Sequence, residues 1–201
     1  MGVERAMSLP VQVFYPIRIA IVVLLLIFLS RPYIRLRPSF PIASTLVGCA
    51  VFAIWIGPDL LFGYRNSFLF HNAIVGTAQA TLAPELRQNA RFLVTRVVGC
   101  ALVVPVFEEL FWRGWLMRWL VKPSFLNVPF GFYQASAFWI VAALFAAEHG
   151  TYWEVGLAAG VAYNWWAVRT RNLADCILAH AVTNAALSAY VLASGRWEYW
   201  F

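Results

Sequence analysis

Charge is scarce in this sequence. Only 12% of its 201 residues are Asp, Glu, Lys or Arg, where an ordinary soluble domain carries about 25%. Too few polar side chains exist to cover a water-facing surface, so a soluble globular protein is excluded. Lysine is nearly missing: fourteen of the fifteen cations are arginine and one, Lys122, is lysine. Three cysteines, Cys49, Cys100 and Cys176, lie in or beside apolar runs with no C-x-x-C spacing. That excludes a disulfide framework and leaves them as small packing residues. The cations sit in short loops at the ends of apolar runs, as topology signals do. They form no continuous basic face, so nucleic acid is not an expected partner.

What remains is apolar: 62% of the chain is hydrophobic and the mean hydropathy is +0.71. Crossing the hydrocarbon of a bilayer takes roughly 20 apolar residues per helix. The expected fold is therefore all-α, a polytopic transmembrane bundle of about six spans forming one integral-membrane domain over 1–201. The spans read as Val11–Leu29, Pro41 to about Ile56, Ala90 to about Leu120, Ala135–Ala147, Trp153–Val168 and Leu173–Ala193. Gly57-Pro58-Asp59 reads as the stop of the second, and 58–90 holds no clear span. Arg18 falls inside the first span and must snorkel or find a partner. Ser30-Arg31-Pro32 after that span is no small-x-small cleavage site, so the helix is expected to stay as an anchor. The basic loops at 31–37, 118–134 and 169–172 point to one side, expected to be the cytoplasm, with both termini outside. The expected location is the cell (inner) membrane, as a multi-pass protein with membrane lipids around it.

Ionisable groups inside such spans are costly, and the general rule reads them as functional. Glu108, Glu109 and Arg113 interrupt the third span. Glu109 and Arg113 are four apart, at ion-pair spacing on one helix face. Glu108 lies about 100° around the helix and has no such partner in its own segment. His149 ends the fourth span, and His180 and Asn184 share one face of the sixth. Taken singly, each has a structural explanation: a satisfied core histidine, or a structural ion pair. Three spans each bringing such a group favour a shared site. A carboxylate beside an imidazole can take a proton from water, and a His N–H with an Asn amide can hold an oxyanion. The chemistry suggested is hydrolysis. Two histidines and a carboxylate also make a zinc set, Glu108, His149 and His180, so metal-assisted hydrolysis stands as a variant.

Lesser polar residues read differently. Glu148 either lines the site or ends its helix, Asn164 packs or bonds across helices, and Asp175 is a helix N-terminal charge. His71 reads as interfacial. One difficulty is axial. His149 lies about 22 Å along its span and Glu108 about 27 Å along its own at 1.5 Å per residue. Counted so, the two fall near opposite faces, and only a tilt, a broken helix or a different span start brings them together.

Glu108-Glu109-x-x-x-Arg113, Phe145-x-x-x-His149 and His180-x-x-x-Asn184, in that order on separate helices, resemble the three motifs of the CAAX protease and bacteriocin-processing family of intramembrane endoproteases. The motifs cover roughly 95–195, so the catalytic half is expected over about 90–195. Ala179-His-Ala-Val-Thr-Asn-Ala with Leu192-Ala-Ser-Gly-Arg-Trp resembles a narrower exosortase-associated branch of CAAX-protease-related proteins. The resemblance implies an endopeptidase in which Glu108 is the general base, His149 assists it, and Glu109 and Arg113 form a supporting ion pair. It implies that His180 and Asn184 bind the oxyanion. The family's metal use is disputed; a metal-free glutamate mechanism with no cofactor is favoured here, with zinc as the alternative. The implied substrate is a membrane-embedded or lipid-anchored protein or peptide. Eukaryotic members remove a C-terminal tripeptide after a prenylated Cys, a specificity not carried over to the narrower branch. Two other functions compete: a non-catalytic membrane scaffold or chaperone of the same fold, and a proton-coupled transporter. A transporter would string polar groups along whole helices, and here they are few and bunched.

Overall fold

The computed structural model describes residues 10–33, 36–70, 72, 76 and 78–200. His71 and part of the 62–75 stretch lie outside the described residues. The molecule is 79% helical with no strand among the described residues. Six helices form it: α1 Val11–Ser30, α2 Pro41–Phe62, α3 Ala90–Trp119, α4 Ala135–Glu148, α5 Trp153–Thr170 and α6 Leu173–Ser194. Four of them, α1, α2, α3 and α6, are long and apolar enough to cross a membrane. The apolar α4 has 14 residues, about 21 Å of helix, and α5 carries polar residues along its 18.

Gly57-Pro58 does not stop α2. The helix runs on to Phe62 with Pro58 inside it, and ends on Gly63 at φ 58°. Proline costs one intrahelical bond, but within a membrane segment the helix remains the only way to satisfy the neighbouring backbone groups. Pro41 occupies the first turn, where its missing N–H costs nothing.

Small residues set the helix spacing. A Cβ on Gly48 of α2 would run into the Ala179 carbonyl and Val182 of α6. On α5, Gly156 and Gly160 form a G-x-x-x-G stripe: a Cβ at 160 would lie 3.2 Å from Ala142, and one at 156 would lie 3.1 Å from the His149 Cβ. Without a hydrophobic driving force between helices in lipid, close backbone approach and interhelical hydrogen bonds supply the packing. The core closes around Val51, Val141, Phe145, Tyr163, Ala179 and Val191, all at most 2% exposed.

Asp175 does more than charge its own N-terminus, which Asn172 caps. Its fully buried carboxylate accepts from the Ser39 and Phe40 amides at 2.9 and 2.8 Å and from the Ser44 hydroxyl at 2.8 Å. It thereby caps α2 from α6. At the opposite end Tyr199 donates to Asp59 at 2.6 Å, which ties the C-terminal turn to α2. Burial and the Asp59 carboxylate push the Tyr199 phenol above its ordinary range. Arg18 stacks over the Tyr15 ring at 5.2 Å.

Candidate active site

The site is built on a buried cation. Arg113 is 1% exposed and directs its donors to its own helix and to α5. NH1 meets Glu109 Oε1 at 3.0 Å, Nε donates to Asn164 Oδ1 at 2.9 Å, and NH2 donates to the Gly160 carbonyl at 3.2 Å. The guanidinium also lies over the Phe145 and Tyr163 rings, at 4.8 and 5.4 Å. A charge in this interior is tolerable only when paired and fully hydrogen-bonded. Asn164, whose amide also donates to the Phe138 carbonyl at 2.7 Å, completes the network. It bonds across helices in both directions rather than merely packing.

Glu109, itself 0% exposed, then reaches the sixth helix. His180 Nδ1–H donates to Glu109 Oε1 at 2.9 Å, and the opposite ring nitrogen, Nε2, stands 4.0 Å from Glu108 Oε2. The imidazole is held flat by Tyr163, stacked at 5.0 Å between centroids and 21° between planes. Oε2 of Glu108 and Oε2 of Glu109 both lack a hydrogen-bond partner, but Glu109 alone has its other oxygen held by Arg113 and His180. Adjacent carboxylates thus have opposite surroundings. One is neutralised by Arg113; the other faces an imidazole across a gap.

His149 also packs on Phe145, whose ring centroid is 4.6 Å from that of His149 and 6.1 Å from that of His180. Its Nδ1–H donates to the Phe145 carbonyl at 2.6 Å, and Trp55 packs edge-on at 5.2 Å. Asn184 is one helical turn beyond His180, but its Nδ2 donates to the Cys100 carbonyl at 2.9 Å.

The axial difficulty dissolves in the length of α3. That helix continues eleven residues past Glu108 to Trp119, so Glu108 lies about 17 Å from the end at which α4 begins. His149 lies about 21 Å from that same end, close to the same depth. Neither helix needs to break.

α3 also carries two π-helical stretches, Gly99–Val103 and Leu110–Leu116, one on each side of the Glu108-Glu109 pair. Such widened turns are frequent at functional sites.

Comparison with known protein families decides the class. Residues 90–186, just under half of the chain, match the family described as "Type II CAAX prenyl endopeptidase Rce1-like". Over those residues the chain is similar to that family. No curated protein and no solved structure matches the chain. All of Glu108, Glu109, Arg113, His149, His180 and Asn184 fall inside the matched region. The match ends before the Leu192–Trp197 run on which the narrower resemblance rests.

The match supports a general activity: intramembrane proteolysis, hydrolysis acting on a membrane-associated protein or peptide. For a CAAX-type endopeptidase the donor set can be tested against zinc. Among the described residues no three His, Cys, Asp or Glu side chains are grouped at ligand spacing. Nδ1 of each histidine is engaged, by Glu109 in one case and by the Phe145 carbonyl in the other. As they stand, Glu108, His149 and His180 do not form a zinc site.

Tyr163 and Trp112, which help hold the ionisable groups in place, are not distinguishable in the sequence from ordinary core residues, whereas Phe145 stands in one of the three motifs and Asn164 is a polar residue within an apolar span. The G-x-x-x-G stripe of α5, beside which His149 sits, was a visible signal.

Proposed function

We propose that the protein cleaves a peptide bond of a membrane-embedded or lipid-anchored substrate with a water activated by Glu108, without a metal. The single observation that carries this reading is the Glu109–His180–Glu108 alignment, with 2.9 Å on one side of the imidazole and 4.0 Å on the other. Two atoms 4.0 Å apart can both reach one water at about 2.8 Å.

Charge balance supports the assignment. Glu109 is matched by Arg113, which leaves Glu108 as the carboxyl group that no arginine holds, facing His180 Nε2. As a carboxylate, Glu108 takes a proton from the attacking water. The new C–O bond forms as the carbonyl π pair moves to oxygen, and the oxyanion is met by His180 Nε2–H and the second amide hydrogen of Asn184. Collapse expels the amine, which takes the proton from Glu108. Glu109 and Arg113 orient His180 and do not touch the substrate. His149, anchored on the Phe145 carbonyl, assists from the α4 side. The proposed location is the cell membrane.

The deciding experiment compares membrane proteomes of wild-type and Glu108→Ala cells. The expected result is a set of peptide termini present only in the wild type. Identical termini in both would end the proposal.

A further inference from the structure

At one end of the bundle α1 and α3 touch. The Tyr15 and Phe92 rings meet edge to face at 5.9 Å, and a Cβ on Gly99 would strike the Tyr15 hydroxyl and Ile19. Toward the other end a cleft of about 830 Å³ opens between the same two helices. Its walls are apolar, with Leu26 on one side and Phe107, Leu110 and Phe111 on the other. The three basic segments contribute Arg37, Arg118 and Arg171 to its lining, and no carboxylate among the described residues lines it.

The three guanidiniums differ. Arg118 is fixed to the protein, donating to the Val128 and Gly114 carbonyls at 2.8 and 3.0 Å. Neither Arg37 nor Arg171 has an acidic partner among the described residues. Asp175, nearby in sequence, is consumed inside α2 and α6. Arg171 is moreover the only non-glycine at positive φ among the described residues, 51°, at a helix end where glycine is preferred. Its stem packs where only Gly131 leaves room: a Cβ there would lie 3.0 Å from the Arg171 Cγ. The backbone accepts an unfavourable conformation and keeps the cation.

We propose that this cleft binds an anionic phospholipid, with its phosphate on Arg37 and Arg171 and its acyl chains along Leu26, Leu110 and Phe111. A soluble anion would leave the apolar walls unused, and a zwitterionic headgroup would bring a second cation to a mouth already carrying three. The site is separate from the proposed water-activating groups.

The test uses the full chain in lipid–detergent micelles holding phosphatidylglycerol and phosphatidylcholine of identical chains in equal amounts, with retained lipid read by native mass spectrometry. Wild-type protein is expected to retain phosphatidylglycerol on the order of tenfold over phosphatidylcholine, from two basic contacts near a headgroup. The Arg37→Gln/Arg171→Gln double variant should bring that ratio to about one. Gly114→Leu keeps every charge and fills the cleft; a Cβ at 114 meets its nearest atoms at ordinary distances of 3.6 and 3.8 Å. It should reduce the retained lipid. Equal retention of the two lipids, or unchanged preference in the double variant, would overturn the proposal. So would equal competition by glycerol 3-phosphate, which marks a free-phosphate site, or a dimer that Gly114→Leu dissociates, which marks self-association.

Discussion

Asn184 donates its side-chain amide to the carbonyl of Cys100, 2.9 Å away on α3. That carbonyl belongs to the π-helical turn Gly99–Val103, so one residue both satisfies a distorted backbone and stands one turn from His180. The two duties separate experimentally. Asn184→Ala leaves the Cys100 carbonyl unpaired, at a cost of about 1–3 kcal/mol. It also removes an oxyanion donor, which is typically a loss of about 10²–10³ in kcat. The expected outcome is both effects, with KM little changed, measured by peptide cleavage and thermal unfolding in detergent. A lowered Tm with kcat intact would leave Asn184 as a backbone cap only.

Glu109 and Arg113 are each buried to within 1% of completeness, which makes them a stability pair as well as a positioning pair. Arg113→Met strands a carboxylate and is expected to destabilise the fold by about 3–5 kcal/mol. The double change Glu109→Gln/Arg113→Met removes both charges and should recover most of that loss. Cleavage should stay low in the double variant, because His180 Nδ1 no longer faces a carboxylate. If cleavage returns along with stability, the pair has no part in orienting His180.

Glu108→Gln separates an enzyme from a scaffold. The side chain is 17% exposed and its nearest ionisable partner is 4.0 Å away, so an isosteric amide should leave unfolding within about 0.5 kcal/mol of wild type. Loss of a general base is worth about 10²–10⁴ in rate. Capture of a membrane-associated substrate by the variant, without cleavage, is the expected result. Undiminished cleavage would dismiss Glu108 from the chemistry.

Much of this was legible before any coordinates. In lipid the polar residues stand out because nothing else explains them, so Glu108, Glu109, Arg113, His149, His180 and Asn184 could be picked from one sequence. Helix limits were legible for the same reason: an apolar run ends where the bilayer does. The α2 terminus was misread because Pro58 stops helices in water, where a freed carbonyl has an alternative partner. Depth was misread because α3, 30 residues long, runs well past the Glu pair, and counting from its start hid the end it shares with α4. The aromatic cradle was only half visible: Phe145 stands in a motif, but Tyr163 looks like any core ring until α5 and α6 are placed together.

Gly156 gives His149 its place. A Cβ there would lie 3.1 and 3.2 Å from the Cβ and Cγ of that ring, tighter than ordinary contact, and its neighbour across the interface is backbone of α4. Gly156→Val should therefore displace the imidazole and part α4 from α5, costing about 1–3 kcal/mol through overpacking. Gly156→Ala should cost less and still lower kcat, because the ring moves before the helices separate. Graded loss, alanine before valine, is the signature to look for in cleavage assays. Equal activity in glycine and alanine forms would place His149 outside the chemistry.

Zinc is the remaining point of choice, and the nitrogen accounting bears on it. Each histidine has committed Nδ1 to a protein oxygen, so only Nε2 of each ring would be offered to an ion. Those two would have to converge with Glu108 around one point. Zinc requires all three donors at about 2.0–2.2 Å, and no three such side chains are grouped so among the described residues. Dialysis against a strong chelator is therefore expected to leave cleavage and unfolding temperature unchanged. Loss of activity on chelation, restored by stoichiometric zinc, would show that the three donors do converge and that the water is activated by a metal instead of by Glu108 alone.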